Sequence, residues 1–288
     1  MKKKVMISGC EGQLGKTLQE LAPLHPEYQF FNADIKELDL SDFTTTQKFI
    51  DQNEIEIVIN AAGYTAVERA EEEIEAAYSA NCQAVENLAR AIAKRNGFMI
   101  HISTDYVFDG KKGSAYTPED LPCPLSVYGA SKLAGEKAMC STNVRGVIIR
   151  IAWLYSTFGN NFVKTMLKLS AERESIQVVN DQWGAPTNAL DLSEVIFQII
   201  AEEEVQNGVE IYHYSNAGLT TWHGFAKEII RLSGAICEVQ ATTSEAFGAK
   251  VKRPTFSQLS TDKLTKRFDI KIPKWEESLA RDLFRIKY

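Results

Sequence analysis

The most constraining stretch of the chain is its beginning, where Lys4-Val5-Met6-Ile7-Ser8 runs into Gly9, Gly12 and Gly15 and then into the helical pattern Lys16-Thr17-Leu18-Gln19-Glu20-Leu21. An apolar strand, a glycine turn and a helix form the opening of a dinucleotide-binding unit. Glycines in the turn let backbone N–H groups approach a pyrophosphate, and the helix N-terminus favours its negative charge. The spacing is GxxGxxG. A glycine trio alone is a weak signal, but its position between strand and helix supplies the context that the motif requires.

The next segments repeat the alternation. Tyr28-Gln29-Phe30-Phe31-Asn32-Ala33 reads as a second strand ending at Asp34, where a carboxylate can hydrogen-bond the adenosine ribose of a cofactor. Asp39 follows in Leu38-Asp39-Leu40, a second acid placed to sit beside an adenine, and Ser41 or Asp42 caps a helix through Ile50. A buried third strand, Ile55 to Asn60, ends in Ala61-Ala62-Gly63, small residues that leave room for a flat ligand at the sheet edge where such folds bind. An amphipathic helix is expected from Glu75 to Lys94, and a fourth strand from Phe98 to Ser103. Strand and helix in strict alternation predict an α/β fold: a doubly wound parallel sheet of Rossmann type, followed by a smaller α/β lobe. The expected division is residues 1–150 mainly for the cofactor and 151–288 mainly for the substrate, with the chain crossing between them.

The chemistry-bearing residues lie after the fourth strand. It opens into Ser103-Thr104-Asp105-Tyr106-Val107-Phe108-Asp109-Gly110, and a loop then leads to Val127-Tyr128-Gly129-Ala130-Ser131-Lys132. On a helix Tyr128 and Lys132 share one face. A tyrosine ordinarily titrates near pH 10, and a neighbouring ammonium stabilises its phenolate. With the Thr104 hydroxyl, these groups suit proton transfer at a carbonyl oxygen while a nicotinamide exchanges hydride with its carbon. Tyr-x-x-x-Lys arises by chance on many exposed helices; the ordered set is what carries weight.

Taken together, GxxGxxG, Asn60-Ala61-Ala62-Gly63, Ser103-Thr104 and Tyr128-x-x-x-Lys132 resemble the extended short-chain dehydrogenase/reductase family. Longer stretches (Gly12-Gln13-Leu14-Gly15, Tyr64-Thr65-Ala66-Val67-Glu68, the run from Ser103 to Gly110, and Tyr128 to Glu136) resemble its branch that reduces dTDP-linked keto-sugars, nearly end to end. The resemblance implies NADPH or NADH as cofactor, held by Gly9, Gly12, Gln13, Leu14, Gly15, Asp34, Asp39, Leu40, Ala61, Ala62, Gly63, Tyr128 and Lys132. It implies Thr104, Tyr128 and Lys132 as the catalytic set. For the substrate, dTDP-4-dehydro-L-rhamnose reduced at C4, it implies Thr65, Thr104, Asp105, Tyr106, Tyr128, Trp153, Asn188 and Arg253. Trp153 is the candidate platform for the hexulose ring, with core packing as the equal alternative. Arg253 is the candidate grip on the diphosphate, with a surface ion pair as its alternative.

Some members hold magnesium at a dimer interface through acids; the matching positions here are Thr17, Leu190 and Glu276, and one carboxylate does not make such a site. A metal-independent enzyme is expected, and a homodimer is compatible with the resemblance without that bridge. Two other functions fit the family. One is a nucleotide-sugar epimerase or dehydratase that retains NAD. The other is a non-catalytic subunit similar to the regulatory subunit of methionine adenosyltransferase.

Composition excludes other classes. A net charge of −6 over 288 residues argues against a nucleic-acid partner. No apolar run approaches spanning length, and none follows the lysines at the start as a signal peptide would require. Five scattered cysteines without a CxxC pair suggest a reduced, cytoplasmic setting. The acid run Glu202-Glu203-Glu204 reads as a solvated helix end.

Overall fold

The computed structural model describes residues 2–202 and 207–286. Its centre is a six-stranded sheet with every pairing parallel: β1 (Lys3–Ser8), β2 (Tyr28–Ala33), β3 (Ile57–Asn60), β4 (Phe98–Thr104), β5 (Arg145–Ile151) and β6 (Val209–Tyr214). Across the sheet the order is β6-β5-β4-β3-β1-β2. The order reverses between β1 and β3, so the binding crevice belongs at the carboxyl ends of those two strands.

The strands are apolar on both faces because successive side chains point to opposite sides. Val5, Ile7, Ile59, Ile100 and Ile149 pack one way, against Leu14 and Leu18 and against Leu192, Ile196 and Ile200 of the helix Ala189–Glu202. Met6, Val58, Met99 and Ile148 pack the other way, against Ile50, Val85, Leu88, Ile92 and Met139. A separate cluster around Val163, Leu167, Phe225, Ile229, Trp275 and Leu279 forms the core of the later lobe.

Several boundaries depart from expectation. The helix expected from Glu75 to Lys94 runs from Ile74 to Ala93 but changes pitch in the middle, where Ser79–Gln83 form a π turn. The last helix spans Trp275–Asp282, and Leu283–Arg285 then tighten into a 3-10 turn, a common way to satisfy a helix end. Chain crossing is extensive: β6, the helix Ala189–Glu202, Leu264 and Phe268 all come from the second half and complete the first core. Asp42, not Ser41, caps the second helix, accepting from the N–H groups of Thr44 and Thr45. Glu203 and Glu204 lie outside the described residues.

Candidate active site

Two adjoining hollows open at the carboxyl end of the sheet. The first, about 600 Å³, is bounded by Gly9, Gly12, Asp34, Asp39, Leu40 and the Ala61-Ala62-Gly63 strand end. Its floor exists because Gly9 has no side chain: φ is +68°, and a Cβ would lie 2.6 Å from the Ala62 Cα. Gly15 brings the first helix, Gln13–Leu21, onto the turn, since its Cβ would lie 2.2 Å from the Gly9 carbonyl oxygen. That helix has Gly12 as its N-cap and no side chain satisfying its first N–H groups, which suits an incoming pyrophosphate. The glycine cradle and the acid at the second strand end fit a dinucleotide.

The acids differ in their commitments. Asp34 stands at the expected strand end, where its carboxylate accepts from the Glu11 and Ile35 N–H groups. Asp39 lines the hollow but is turned back on its own loop. Ser41 donates to it from both hydroxyl and backbone, which also depresses the Asp39 pKa. Among the described residues, no lysine or arginine lines this hollow.

The second hollow, about 720 Å³, continues from the first over the end of β4. Gln13, Leu14, Thr65, Thr104, Asp105, Tyr106, Tyr128, Lys132, Trp153 and Arg253 all line it. Ser126 caps the helix Val127–Cys140 and so fixes the turn carrying Tyr128 and Lys132. Gly129 and Gly135 let that helix approach closely, for a Cβ would lie 2.2 Å from the Tyr106 carbonyl and 2.0 Å from the Asn81 carbonyl respectively. Thr104 lines the groove with Tyr128 and caps the turn Asp105–Val107 through the Tyr106 N–H. Burial raises the Tyr128 phenol to about 12, so the free site holds it protonated, the state that donates a proton. Burial lowers Lys132 to about 8, against the opposing charge of Glu136, and its Nζ donates to the Ile102 carbonyl at 2.6 Å. Burial raises Asp105 to about 6, opposed by the nearby Ser257 and by the hydrogen bond from the Thr104 hydroxyl.

The substrate residues divide. Trp153 lies in the groove with φ of +48°, its ring stacked on Trp222 at 3.8 Å and 16°. Arg253 spans both of its alternatives: it lines the groove and pairs with Glu68 at 2.7 Å, while its Nε is buried without a partner. Asn188 is a correction. It lies outside the groove, buried, where its Oδ1 accepts from the Leu190 N–H and its Nδ2 donates to Asp282 and Tyr155. The demand for hydrogen bonds at the start of the helix Ala189–Glu202 consumes it.

Groove residues that sequence reasoning did not assign include Trp222, Glu68 and Asn81. Trp222 opens the helix Trp222–Ser233 and stacks on Trp153. Glu68 faces Arg253 from far away in the chain. Asn81 sits in the π turn, accepts from the Tyr64 N–H and donates to its carbonyl and to Ser131. A pitch change of this kind leaves no mark in hydrophobic periodicity, although such turns recur at functional sites.

Among the described residues no cluster of His, Cys, Asp or Glu could hold a metal, and no helix is long and apolar enough to cross a membrane. The chain is 37% identical over 286 residues to a dTDP-4-dehydrorhamnose reductase of Aggregatibacter actinomycetemcomitans, covering 96% of this chain and 97% of that one. It is 36% identical over 291 residues to the Escherichia coli K12 enzyme of that name, covering 97% and 96%. The solved dTDP-4-dehydrorhamnose reductase of Bacillus anthracis, in complex with NADP, superposes with a TM-score of 0.93 at 39% identity, covering 98% of each chain. The family model of the RmlD substrate binding domain matches residues 2–287, and the chain belongs to that family.

Proposed function

We propose that the chain reduces the C4 carbonyl of dTDP-4-dehydro-L-rhamnose with NADPH or NADH, giving dTDP-L-rhamnose. The observation that carries this reading is that Thr104, Tyr128 and Lys132 line one hollow beside the glycine cradle, with Tyr128 kept as a neutral phenol by burial. The bound nicotinamide supplies the hydride. Gly9, Gly12, Ala61 and Ala62 hold the cofactor against the sheet end, with Asp34 at its ribose. Thr104 and Tyr128 hydrogen-bond the substrate oxygen, and the Tyr128 O–H passes its proton to that oxygen as charge develops. Lys132 supports Tyr128 from the next helical turn. The stacked Trp153 and Trp222 offer a flat wall to the sugar, and Arg253 binds the diphosphate.

On this reading residues 1–150 mainly hold the cofactor and 151–288 mainly the nucleotide sugar, with β6 and its preceding helix crossing back. Five free cysteines support a reduced, cytoplasmic setting. A homodimer is compatible with it, and the mass in solution tests that assembly.

The test is oxidation of NADPH or NADH by the purified enzyme with enzymatically generated dTDP-4-dehydro-L-rhamnose, in EDTA, beside Tyr128→Phe. Turnover that survives EDTA and falls by about 10²–10⁴-fold in the variant supports the reading. Cofactor binding without turnover overturns this substrate and favours an epimerase, a dehydratase or a non-catalytic subunit.

A further inference from the structure

Behind Lys132 a line of buried polar side chains runs down into the sheet. The Lys132 Nζ is 3.4 Å from the His101 Nε2, and the His101 Nδ1 is 3.0 Å from the Asn60 Nδ2. Asn60 is oriented from its other end: its Oδ1 accepts from the Ser8 hydroxyl at 2.8 Å and from the Ala62 N–H at 3.1 Å. The Ala62 amide can only donate, so the Asn60 oxygen must face it and the Asn60 NH₂ must face His101. The His101 Nδ1 is therefore an acceptor. The ring is fully enclosed, and burial holds it neutral, well below its ordinary pKa. A neutral ring accepting at Nδ1 carries its proton on Nε2, the atom that faces Lys132.

This has a consequence for Nζ. An ammonium has donors only and would set one N–H against another. An amine donates to the Ile102 carbonyl and uses its lone pair to accept from the His101 Nε2–H. We infer that His101 is a positioning residue that biases Lys132 toward its amine form, through a tautomer fixed by Asn60, Ser8 and the Ala62 amide. The other titratable groups around Nζ do not produce this bias. Glu136, one turn along the same helix, favours the ammonium, although Arg150 from β5 binds both of its oxygens. Tyr128 precedes Lys132 on the helix, and Asp105 follows the end of β4. Asn81, from the π turn, is uncharged.

The inference rests on the role proposed above for Lys132, but its test does not need turnover. Histidine-selective ¹⁵N spectra of the full chain, without cofactor or substrate, report the His101 tautomer. Lysine ¹³Cε spectra report the Lys132 titration. The expected result is His101 protonated at Nε2 and not at Nδ1, with Lys132 titrating near 8. In His101→Gln a side-chain oxygen can accept from Nζ, and the Lys132 proton affinity should rise by about tenfold or more, with the pH profile of kcat moving the same way. A ring protonated at Nδ1, or an unchanged Lys132 midpoint in folded His101→Gln, overturns the inference. A wild-type ring protonated at Nδ1 overturns the inference even if the variant does not fold, and both spectra can be read whether or not the keto-sugar is the substrate.

Discussion

Arg150 grips Glu136 with two hydrogen bonds, Nε to Oε1 at 2.9 Å and Nη2 to Oε2 at 2.7 Å, and both side chains are almost wholly buried. Ser103 donates to the same carboxylate from the end of β4. The pair thus joins β4, β5 and the helix that carries Tyr128 and Lys132. Removing one partner leaves the other charge buried and uncompensated, so Glu136→Ala should destabilise by about 3–5 kcal/mol. Replacing both with apolar residues of similar volume should recover much of the loss. Urea denaturation of the single and double variants checks this; a single variant as stable as the double one would contradict it.

Gly9 and Gly113 make a matched pair for separating conformation from contact. Their φ values are +68° and +69°, but a Cβ on Gly9 meets Ala62 at 2.6 Å whereas one on Gly113 meets nothing within 4 Å. Gly113→Ala carries only the left-handed backbone penalty, about 1–2 kcal/mol. Gly9→Ala carries that penalty and must also push the first and third strand ends apart. It should lose more stability and should lose cofactor affinity, whereas Gly113→Ala keeps it. Calorimetry with a fluorescence titration of NADPH reads both effects.

These two positions also show what a sequence can disclose. The Gly9–Gly15 turn, the Asp34 strand end and the Thr104/Tyr128/Lys132 set are local signals, each legible because backbone conformation or helical spacing dictates it. Placement by distant partners is not local. Asn188 looked like a groove residue and became a helix cap, because its oxygen meets the unsatisfied N–H groups of Leu190 and Asp191. Asn81 looked like one polar residue on an amphipathic helix, and only the π turn aims it at Tyr64 and Ser131. The contribution of β6 to the first sheet was hidden for the same reason: its partner, β5, lies far back in the chain.

Arg253 is already partnered by Glu68, and in the proposed substrate role that carboxylate would compete with the diphosphate. Its ion pair with Glu68 is half-open to solvent, so breaking it should change stability by no more than about 1 kcal/mol. Its value lies in the free Nε and in the planar fork, which matches a diphosphate. Arg253→Ala should weaken dTDP binding by about 1.5–3 kcal/mol, roughly 10- to 150-fold, with little effect on NADPH binding. Arg253→Lys should restore only part of that. Glu68→Gln removes the competing carboxylate and should tighten dTDP. Calorimetric titration of dTDP measures all three, and unchanged affinity in Arg253→Ala would remove this residue from the substrate site.

Asp105 presents the sharpest pH signature. Its ordinary pKa of 3.8 is raised to about 6 by burial beside Thr104 and Tyr128. Between those two values the folded protein binds more of a proton at this site than the unfolded chain does. Stability therefore falls as pH rises through that window, and the penalty is fully present above about 6. The difference of about two pH units corresponds to roughly 3 kcal/mol at neutral pH. Asp105→Asn removes the ionisation and should be more stable than wild type at pH 7 by up to about that amount. The advantage should shrink through the window and vanish below about pH 4. Activity should fall in the same variant, because Asp105 lines the groove beside Tyr128 and its carboxylate accepts from the Thr104 hydroxyl. Thermal melts of both proteins from acid to neutral pH test the stability claim; parallel curves would show that Asp105 ionises no less readily in the folded chain than in the unfolded one.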